Sequence, residues 1–524
     1  MAKLTREERF NKHYKAMHEN NQMIFAGRLL QRAAERFPHA TALICKEVSI
    51  TFLQLYYHSL RFTRDLLAKG IKPHDRVCLL FENSIEYYIA YFGIWQTGAV
   101  VAPLNTFITE KELAHVINDS NPVALVVSEE FSHKLSALEQ NGVVLPLVFI
   151  EPLLQNVNEF AQPPLDKYEI PSIDPDVMAA LLYTSGTTGL PKGVMLSSRN
   201  LLTNVAQIIS TIELSHNDRM FGVLPLFHSF AQNACVWSSM FLGSSVIVVP
   251  KIERKWILEG FKHAPTIMLG VPTLYGLLCM MKTLDFSTVR YVICGGDALP
   301  DKIRAGFELI YRRKMCNGYG LTESSPFIAG DVDDIVQATN TIGRPAIGIQ
   351  ISLRDEITGK EVQKGKIGIL WVKGDNVMLG YYNAPEHTAQ VLKDGWLDTG
   401  DFAYLDGRGS LVISGRFKDL IIHKGFNIYP PEIENVLMSH PLVFKAGVIG
   451  KEDEMTGEIP IAFVAVKEQN PECEKILKKL CKQHLAPYKI PRHIICMADL
   501  PMTALGKVDK KRLKKDYKAL LEGH

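Results

Sequence analysis

Apolar runs too short to be helices recur between about Phe25 and Ile150, each set beside a stretch with helical periodicity, and this alternation restricts the fold more than any other feature. Arg76–Phe81, Ala99–Pro103 and Val123–Val127 read as buried strands, with Ile85–Gln96, rich in aromatics, as a helix among them. Strands separated by helices argue for βαβ units and a largely parallel sheet. The pattern resumes past Ser198–Ser210, itself helical, with strands at Ser245–Val249, Thr266–Leu269 and Val289–Cys294. The last two end in Gly270-Val-Pro272 and Gly295-Gly-Asp297, which places both turns at the carboxyl ends of parallel strands, where open α/β sheets bind ligands.

With 524 residues the chain exceeds a single core, since cores stop growing at roughly 250–300 residues. Between Ile349 and Ile413 short strands and glycine turns suggest a small antiparallel β unit. Beyond Gly415 the chain shows its own βαβ-like alternation: helix Pro431–Met438, strands Ala446–Ile449 and Ile461–Val466, helix Glu472–His484, and a basic terminal helix from Lys510. Two unequal units follow, a large one over residues 1–415 and a small one over 419–524, joined through 416–418. The expected class is α/β, with mixed, mostly parallel sheets flanked by helices in the large unit and an α+β small unit.

A net charge of +2 gives no electrostatic case for nucleic acid. The nine cysteines are scattered and never spaced C-x-x-C, which reads as reduced thiols in a cytoplasmic protein. The charged start Met1–Phe10 lacks a signal peptide's apolar run, and no stretch approaches the ~20 residues that cross a bilayer. Peripheral membrane contact and oligomerisation stay open.

A polar, proline-bearing stretch from Ala161 leads into the strand Val177–Tyr183, and directly after it stands Tyr183-Thr-Ser-Gly-Thr-Thr-Gly-Leu-Pro-Lys-Gly193. Thr184, Ser185, Thr187 and Thr188 offer hydroxyls, Gly186, Gly189 and Gly193 let backbone N–H groups approach, and Lys192 adds charge, a combination suited to a phosphate chain. The Walker A spacing is absent, so the P-loop fold is not implied. Composition alone leaves open a plain surface loop.

Other segments offer complementary chemistry. Asn317-Gly-Tyr-Gly-Leu-Thr-Glu323 brings an aromatic ring, glycines, the Thr322 hydroxyl and a carboxylate, and Glu323 is the candidate Mg²⁺ ligand with Thr184 as a hydroxyl neighbour; a glutamate answering a helix dipole reads the same way. Leu224-Pro-Leu-Phe-His-Ser-Phe230 holds a lone histidine, His228, in apolar surroundings that also fit a core residue. Asp401, ending Gly395–Asp401, suits ribose hydroxyls or a simple turn. Arg416 and Lys418 in Ser414–Asp419, and the cluster at Lys510–Lys515, also fit solvated surface charge. The Pro/Gly framing of Lys507 does not.

Taken in order, these segments closely resemble the signatures of the adenylate-forming superfamily: the Gly/Thr loop, the Pro-x-Phe-His segment, Asn317–Glu323, Gly395–Asp401, Ser414–Asp419 and the ending Pro501-Met-Thr-Ala-Leu-Gly-Lys507…Leu513. Trp95–Asn105 resembles a further segment, so the likeness covers nearly the whole chain. It implies that a carboxylic acid attacks the α-phosphate of ATP to give an acyl-AMP, from which a thiol displaces AMP. It further implies that Thr184–Lys192 holds the β- and γ-phosphates and that Gly295, Gly296, Asp297, Asn317, Tyr319 and Gly320 surround the adenine region. Asp401 and Arg416 would fix ribose, and His228 would floor the carboxylate pocket. Lys507 would bridge the carboxylate and the α-phosphate, and Lys418 would be the hinge of a mobile small domain. His423-Lys-Gly-Phe-Asn-Ile-Tyr-Pro430 is similar to the loop of fatty acyl-CoA synthetases, which implies coenzyme A as acceptor, with Lys424, Gly425 and Phe426 lining the thiol route. Phe230, Trp237 and Gly270–Tyr275 are the expected acyl walls. The resemblance is strongest to bacterial medium- to long-chain fatty acid–CoA ligases; an aryl- or carnitine-type CoA ligase, and a nucleotide-binding regulatory protein without turnover, are the alternatives.

Overall fold

The computed structural model describes residues 4–140, 143, 147–150, 168–185, 190–330, 332, 341–424, 426–453, 456–467, 471–503 and 507–522. Among them the strands form three large sheets and a two-stranded ribbon. In the seven-stranded first sheet, Arg76–Leu80 lies between Val100–Pro103 and Ala124–Val127, all parallel, and Val100–Pro103 pairs in parallel with Met178–Ser185. Pro191–Ser197, which the sequence pattern did not announce, folds back antiparallel on Met178–Ser185. Thr184 and Ser185 therefore stand on one strand of a pair, opposite Lys192 and Pro191 on the other.

The second sheet has a parallel centre of Ser245–Val248, Arg219–Gly222, Ile267–Gly270, Tyr291–Cys294 and Met315–Gly320. Gly270 and Gly295 stand at adjacent strand ends, as the turn chemistry requires, and the Gly295 N–H donates to the Gly270 carbonyl at 3.1 Å. Beyond Met315–Gly320 the pairing turns antiparallel and continues through Thr341–Pro345 to Trp396–Leu405 and Leu411–Arg416. The Ile349–Ile413 region is antiparallel as expected, yet it extends this sheet instead of forming a separate unit. The hairpin Thr41–Cys45/Val48–Thr51 joins the opposite edge.

A five-stranded third sheet is built from strands between Ile421 and Met497. Its βαβ expectation holds for Gly457–Val466, helix Cys473–His484 and the parallel strand His493–Met497. Val443–Asp453 and Gly457–Val466, by contrast, form an antiparallel hairpin, because the connection between them is too short for a crossover. The parallel pairing also brings Cys496 to the first turn of the helix at Cys473, where the two are joined by a disulfide. This corrects the expectation that every cysteine is a thiol: a 23-residue separation hid the proximity. The other seven form no disulfide. No described helix is long and apolar enough to cross a membrane.

The helix Ile85–Gln96 ties the first two sheets together. Ser84 caps it by accepting from the Tyr87 N–H, and every residue except Glu86 is buried. An all-round buried helix must satisfy its own polar tips, and here they satisfy the partner elements. Tyr87 Oη donates to the Leu226 carbonyl at 2.8 Å, Tyr91 Oη to Gln232 Oε1 at 3.0 Å, and Trp95 Nε1 to the Ala179 carbonyl at 2.8 Å. Just before the helix, Asn83 donates to the carbonyls of Leu224 (2.9 Å) and Val249 (3.1 Å) and accepts from the Leu226 N–H (2.8 Å). The segment leading to His228 is thus held by side chains from the other sheet. Asn83→Ala leaves these buried backbone groups unpaired and should cost about 3 kcal/mol, read as a lower denaturation midpoint of the purified protein.

Candidate active site

His228 follows the Asn83-clamped segment and caps a short helical turn, its Nδ1 accepting from the Phe230 N–H at 3.3 Å. Accepting at Nδ1 leaves the neutral ring's proton on Nε2. Burial first, and then the positive charge of Lys507, lowers its pKa from 6.5 to about 4. Next to it, Ser229 Oγ and Thr322 Oγ1 are 3.1 Å apart, which ties the histidine segment to Asn317–Glu323.

Lys507 arrives from the far end of the chain. The Thr503 N–H donates to its carbonyl at 2.7 Å and its own N–H to Thr503 Oγ1 at 3.2 Å, so two bonds link Thr503 and Lys507. Burial lowers its pKa below the usual lysine range; Asp297 and Asp401 oppose that shift and Arg416 adds to it. Its charge therefore acts within one cluster containing His228, Asp297, Asp401 and Arg416.

Asp401 is 4% exposed and sits opposite Arg416 in the pairing of Trp396–Leu405 with Leu411–Arg416. Its Oδ1 lies 3.2 Å from Arg416 Nε, and its Oδ2 accepts from Tyr319 Oη at 2.5 Å. Tyr319, expected only as an aromatic plane, also orients this carboxylate, and that contact pushes the phenol's pKa further up beyond the effect of burial. Gly296 takes a positive φ of 82° in the turn after Tyr291–Cys294, and a side chain at Gly295 would meet Phe230 and the Gly318 carbonyl. Gly320 is equally constrained, since a Cβ there would overlap the Pro326 carbonyl. Asn317, expected in the adenine region, donates from its side-chain amide to the Thr341 carbonyl at 3.2 Å, a bond that supports the sheet.

Glu323 lies in the 3₁₀ turn Thr322–Ser324, and its Oε1 accepts from Tyr381 Oη at 2.8 Å. Lys192 Nζ stands 5.5 Å from the centre of the same tyrosine ring. The register pairs Lys192 with Thr184, so Tyr381 connects the carboxylate to the base of the phosphate hairpin. No motif in the sequence flags Tyr381; antiparallel pairing of Gly380–Tyr381 with Val194–Met195 brings it there. Ser185 ends the strand opposite Pro191, while Gly186, Thr187, Thr188 and Gly189 lie outside the described residues. Among the described residues no group of three or more His, Cys, Asp or Glu could hold a metal by itself. One held carboxylate nevertheless fits Mg²⁺, which prefers hard oxygen and takes phosphate oxygens and water for most of its shell.

Lys418 is exposed in the turn Phe417–Asp419, where Phe417 packs 5.8 Å from Phe402. Lys424 and Phe426 are exposed at the tip of the hairpin Ile421–His423/Phe426–Ile428, with Phe426 stacked on Tyr488 at 4.9 Å; Gly425 lies outside the described residues. Of the expected acyl walls, Phe230 reaches the site. Trp237 and Tyr275 are fully buried, with the Trp237 N–H on Tyr91 Oη (2.9 Å) and Tyr275 Oη on the Ile293 carbonyl (2.7 Å).

The histidine gives a pH test. Unfolded, it takes a proton near 6.5; folded, only near 4. Its contribution to stability is complete above pH 6.5 and is lost as pH falls toward 4. His228→Asn should flatten the acid limb of a pH–stability curve over that window, measured by denaturant midpoints.

Known proteins resemble this chain over most of its length. The family profile described as AMP-binding enzyme matches residues 30–382, and that of the AMP-binding enzyme C-terminal domain matches 432–507. The long-chain-fatty-acid–CoA ligase of Bacillus subtilis is 32% identical over 521 residues, covering 93% of each chain. That of Yersinia pestis is 32% identical over 525 residues, again covering 93% of each. The ATP-bound crystal structure of MatB from Rhodopseudomonas palustris superposes with a TM-score of 0.85 at 30% identity, covering 95% of this chain and 100% of that one. O-succinylbenzoate coenzyme A synthetase of Bacillus subtilis, in complex with ATP and magnesium, gives 0.83 at 28% identity, covering 93% and 99%. With both profiles matched and the site's residues converging from both ends of the chain, the protein belongs to the AMP-binding enzyme family of the adenylate-forming superfamily.

Proposed function

We propose that this protein is an ATP-dependent ligase that joins a medium- to long-chain fatty acid to coenzyme A through an acyl-AMP, releasing pyrophosphate and then AMP. The observation that carries the reading is the convergence of Lys507, from one unit, on His228, Asp297, Asp401 and Arg416. The curated relatives named above act as long-chain-fatty-acid–CoA ligases, and this supports the choice of acid.

A carboxylate is a poor acylating agent, because its carbon is electron-rich and oxide does not leave. Attack of a carboxylate oxygen on the α-phosphorus breaks the bond to pyrophosphate and converts that oxygen into part of a good leaving group. Lys507 stabilises the negative charge between carboxylate and α-phosphate as a mobile point charge, a task that suits an ammonium better than a rigid guanidinium. His228 stays neutral at physiological pH and offers Nε2–H toward the acid's carboxylate, while Phe230 packs on the acyl side. Asp401, fixed by Tyr319 and Arg416, accepts from ribose hydroxyls. Thr184, Ser185 and Lys192, with Gly186–Gly189 between, hold the departing phosphates. Glu323, with Thr184 as a hydroxyl neighbour, holds Mg²⁺, which when bound neutralises phosphate charge. In the second half-reaction the thiol sulfur attacks the acyl carbon and AMP leaves. Residues 1–415 and 419–524 form the two units, Arg416–Lys418 the hinge between them, and Lys424-Gly-Phe426 the entrance for the thiol.

Two measurements test this. ATP–pyrophosphate exchange across short, long, aromatic and carnitine-like acids should peak with an alkyl acid of medium or long chain; a peak with an aryl acid replaces the substrate class, and no exchange with any acid refutes the ligase. Lys507→Ala should lower acyl-AMP formation by at least about 100-fold, since it removes a positioned charge from the reacting centre, while leaving thiolysis of supplied acyl-AMP close to wild type.

A further inference from the structure

The delivery of Lys507 depends on how the small unit is seated on the large one, and one polar contact between them stands out. Lys302, in the first turn of the helix Asp301–Tyr311, donates from Nζ to the carbonyls of Val443 at 3.0 Å and His440 at 3.2 Å. Those carbonyls belong to the turn between helix Pro430–Ser439 and strand Val443–Asp453, on the opposite side of the junction at Arg416–Lys418. His440 is the residue that ends the helix, and its carbonyl also accepts from the Val443 N–H at 3.1 Å. An ammonium suits this place: helix carboxyl ends carry partial negative charge, and a lysine has several protons to share between carbonyls.

Lys302 stands five residues after Asp297, the carboxylate whose field reaches Lys507, Arg416 and Lys510. The short segment leaving the strand Tyr291–Cys294 thus holds the small unit by an ammonium bound to its carbonyls, and it carries a carboxylate within electrostatic reach of Lys507 and Lys510. Lys507 takes no part in the Lys302 contact, so the two can be separated by mutation. We propose that Lys302 is a positioning residue for the adenylation step, clamping the turn His440–Val443 so that the small unit is held where Lys507 reaches the reacting centre.

The proposal rests on the reading of Lys507 as the lysine of the first half-reaction. Its test therefore combines a chemical and a structural measurement on the full-length protein. Lys302→Ala should slow ATP–pyrophosphate exchange on the order of three- to tenfold, the range for losing a charge-assisted bond that is partly solvated, while thiolysis of supplied acyl-AMP is not slowed. Lys302→Arg, which also reaches the carbonyls, should restore most of the exchange. In hydrogen–deuterium exchange, Lys302→Ala should raise labelling of peptides covering 298–304 and 437–443 and leave the first sheet unchanged. Unaltered labelling at both peptides, or equal loss in both half-reactions, overturns the clamp. Raised labelling with undiminished pyrophosphate exchange also overturns it, since the contact then does not serve adenylation; whether Lys507 acts in that step is decided separately by the Lys507→Ala measurement.

Discussion

A lysine side chain drawn out of bulk water beside a histidine has to be compensated, and the surroundings of Lys507 are organised around that requirement. Burial disfavours the ammonium, Arg416 repels it, and Asp297 with Asp401 pulls the other way. These groups come from distant parts of the chain: Asp297 from a turn after a parallel strand, Asp401 and Arg416 from paired antiparallel strands, Lys507 from a segment near the end that is bonded to Thr503. Asp401 and Arg416 stand on strands that the second sheet gains where its pairing changes from parallel to antiparallel at Met315–Gly320. That change puts a turn suited to adenine and a pair suited to ribose side by side.

Rigidity in the large unit comes from polar bonds made inside an apolar core. The buried helix Ile85–Gln96 bonds to the backbone of both neighbouring sheets through Tyr87 and Trp95, and Asn83 fixes the segment that ends at His228. Misplacing a catalytic group by an ångström is costly, so holding it by several satisfied bonds from another element serves function as well as stability. The same logic applies at Glu323, whose carboxylate is oriented by Tyr381 from a strand nearly sixty residues away.

The strand and helix pattern, the two turns at strand ends and the order of motifs were legible along the chain because each is written in local periodicity or adjacent residues. Ile85–Gln96 matches the helix to the residue, for the apolar run is bounded by Ser84 as cap. What stayed hidden shares one cause: pairing between segments far apart. The strand Pro191–Ser197, the fusion of the Ile349–Ile413 strands to the parallel sheet, and the Cys473–Cys496 bond all depend on partners that no window of sequence contains.

The sequence by itself determined the class of chemistry through the order of its motifs, which resembles the signatures of the adenylate-forming superfamily. It also determined which lysine has a framed, non-generic setting. Only the tertiary structure decided what each group touches: that Asn317 supports a strand, that Tyr319 holds Asp401, that Tyr381 stands between Glu323 and Lys192, and that Lys302 grips the unit carrying Lys507. The reason is physical. Composition and spacing fix what a side chain can donate or accept, whereas burial and the choice of partner arise only when sheets and units pack, and those set charge, orientation and reach.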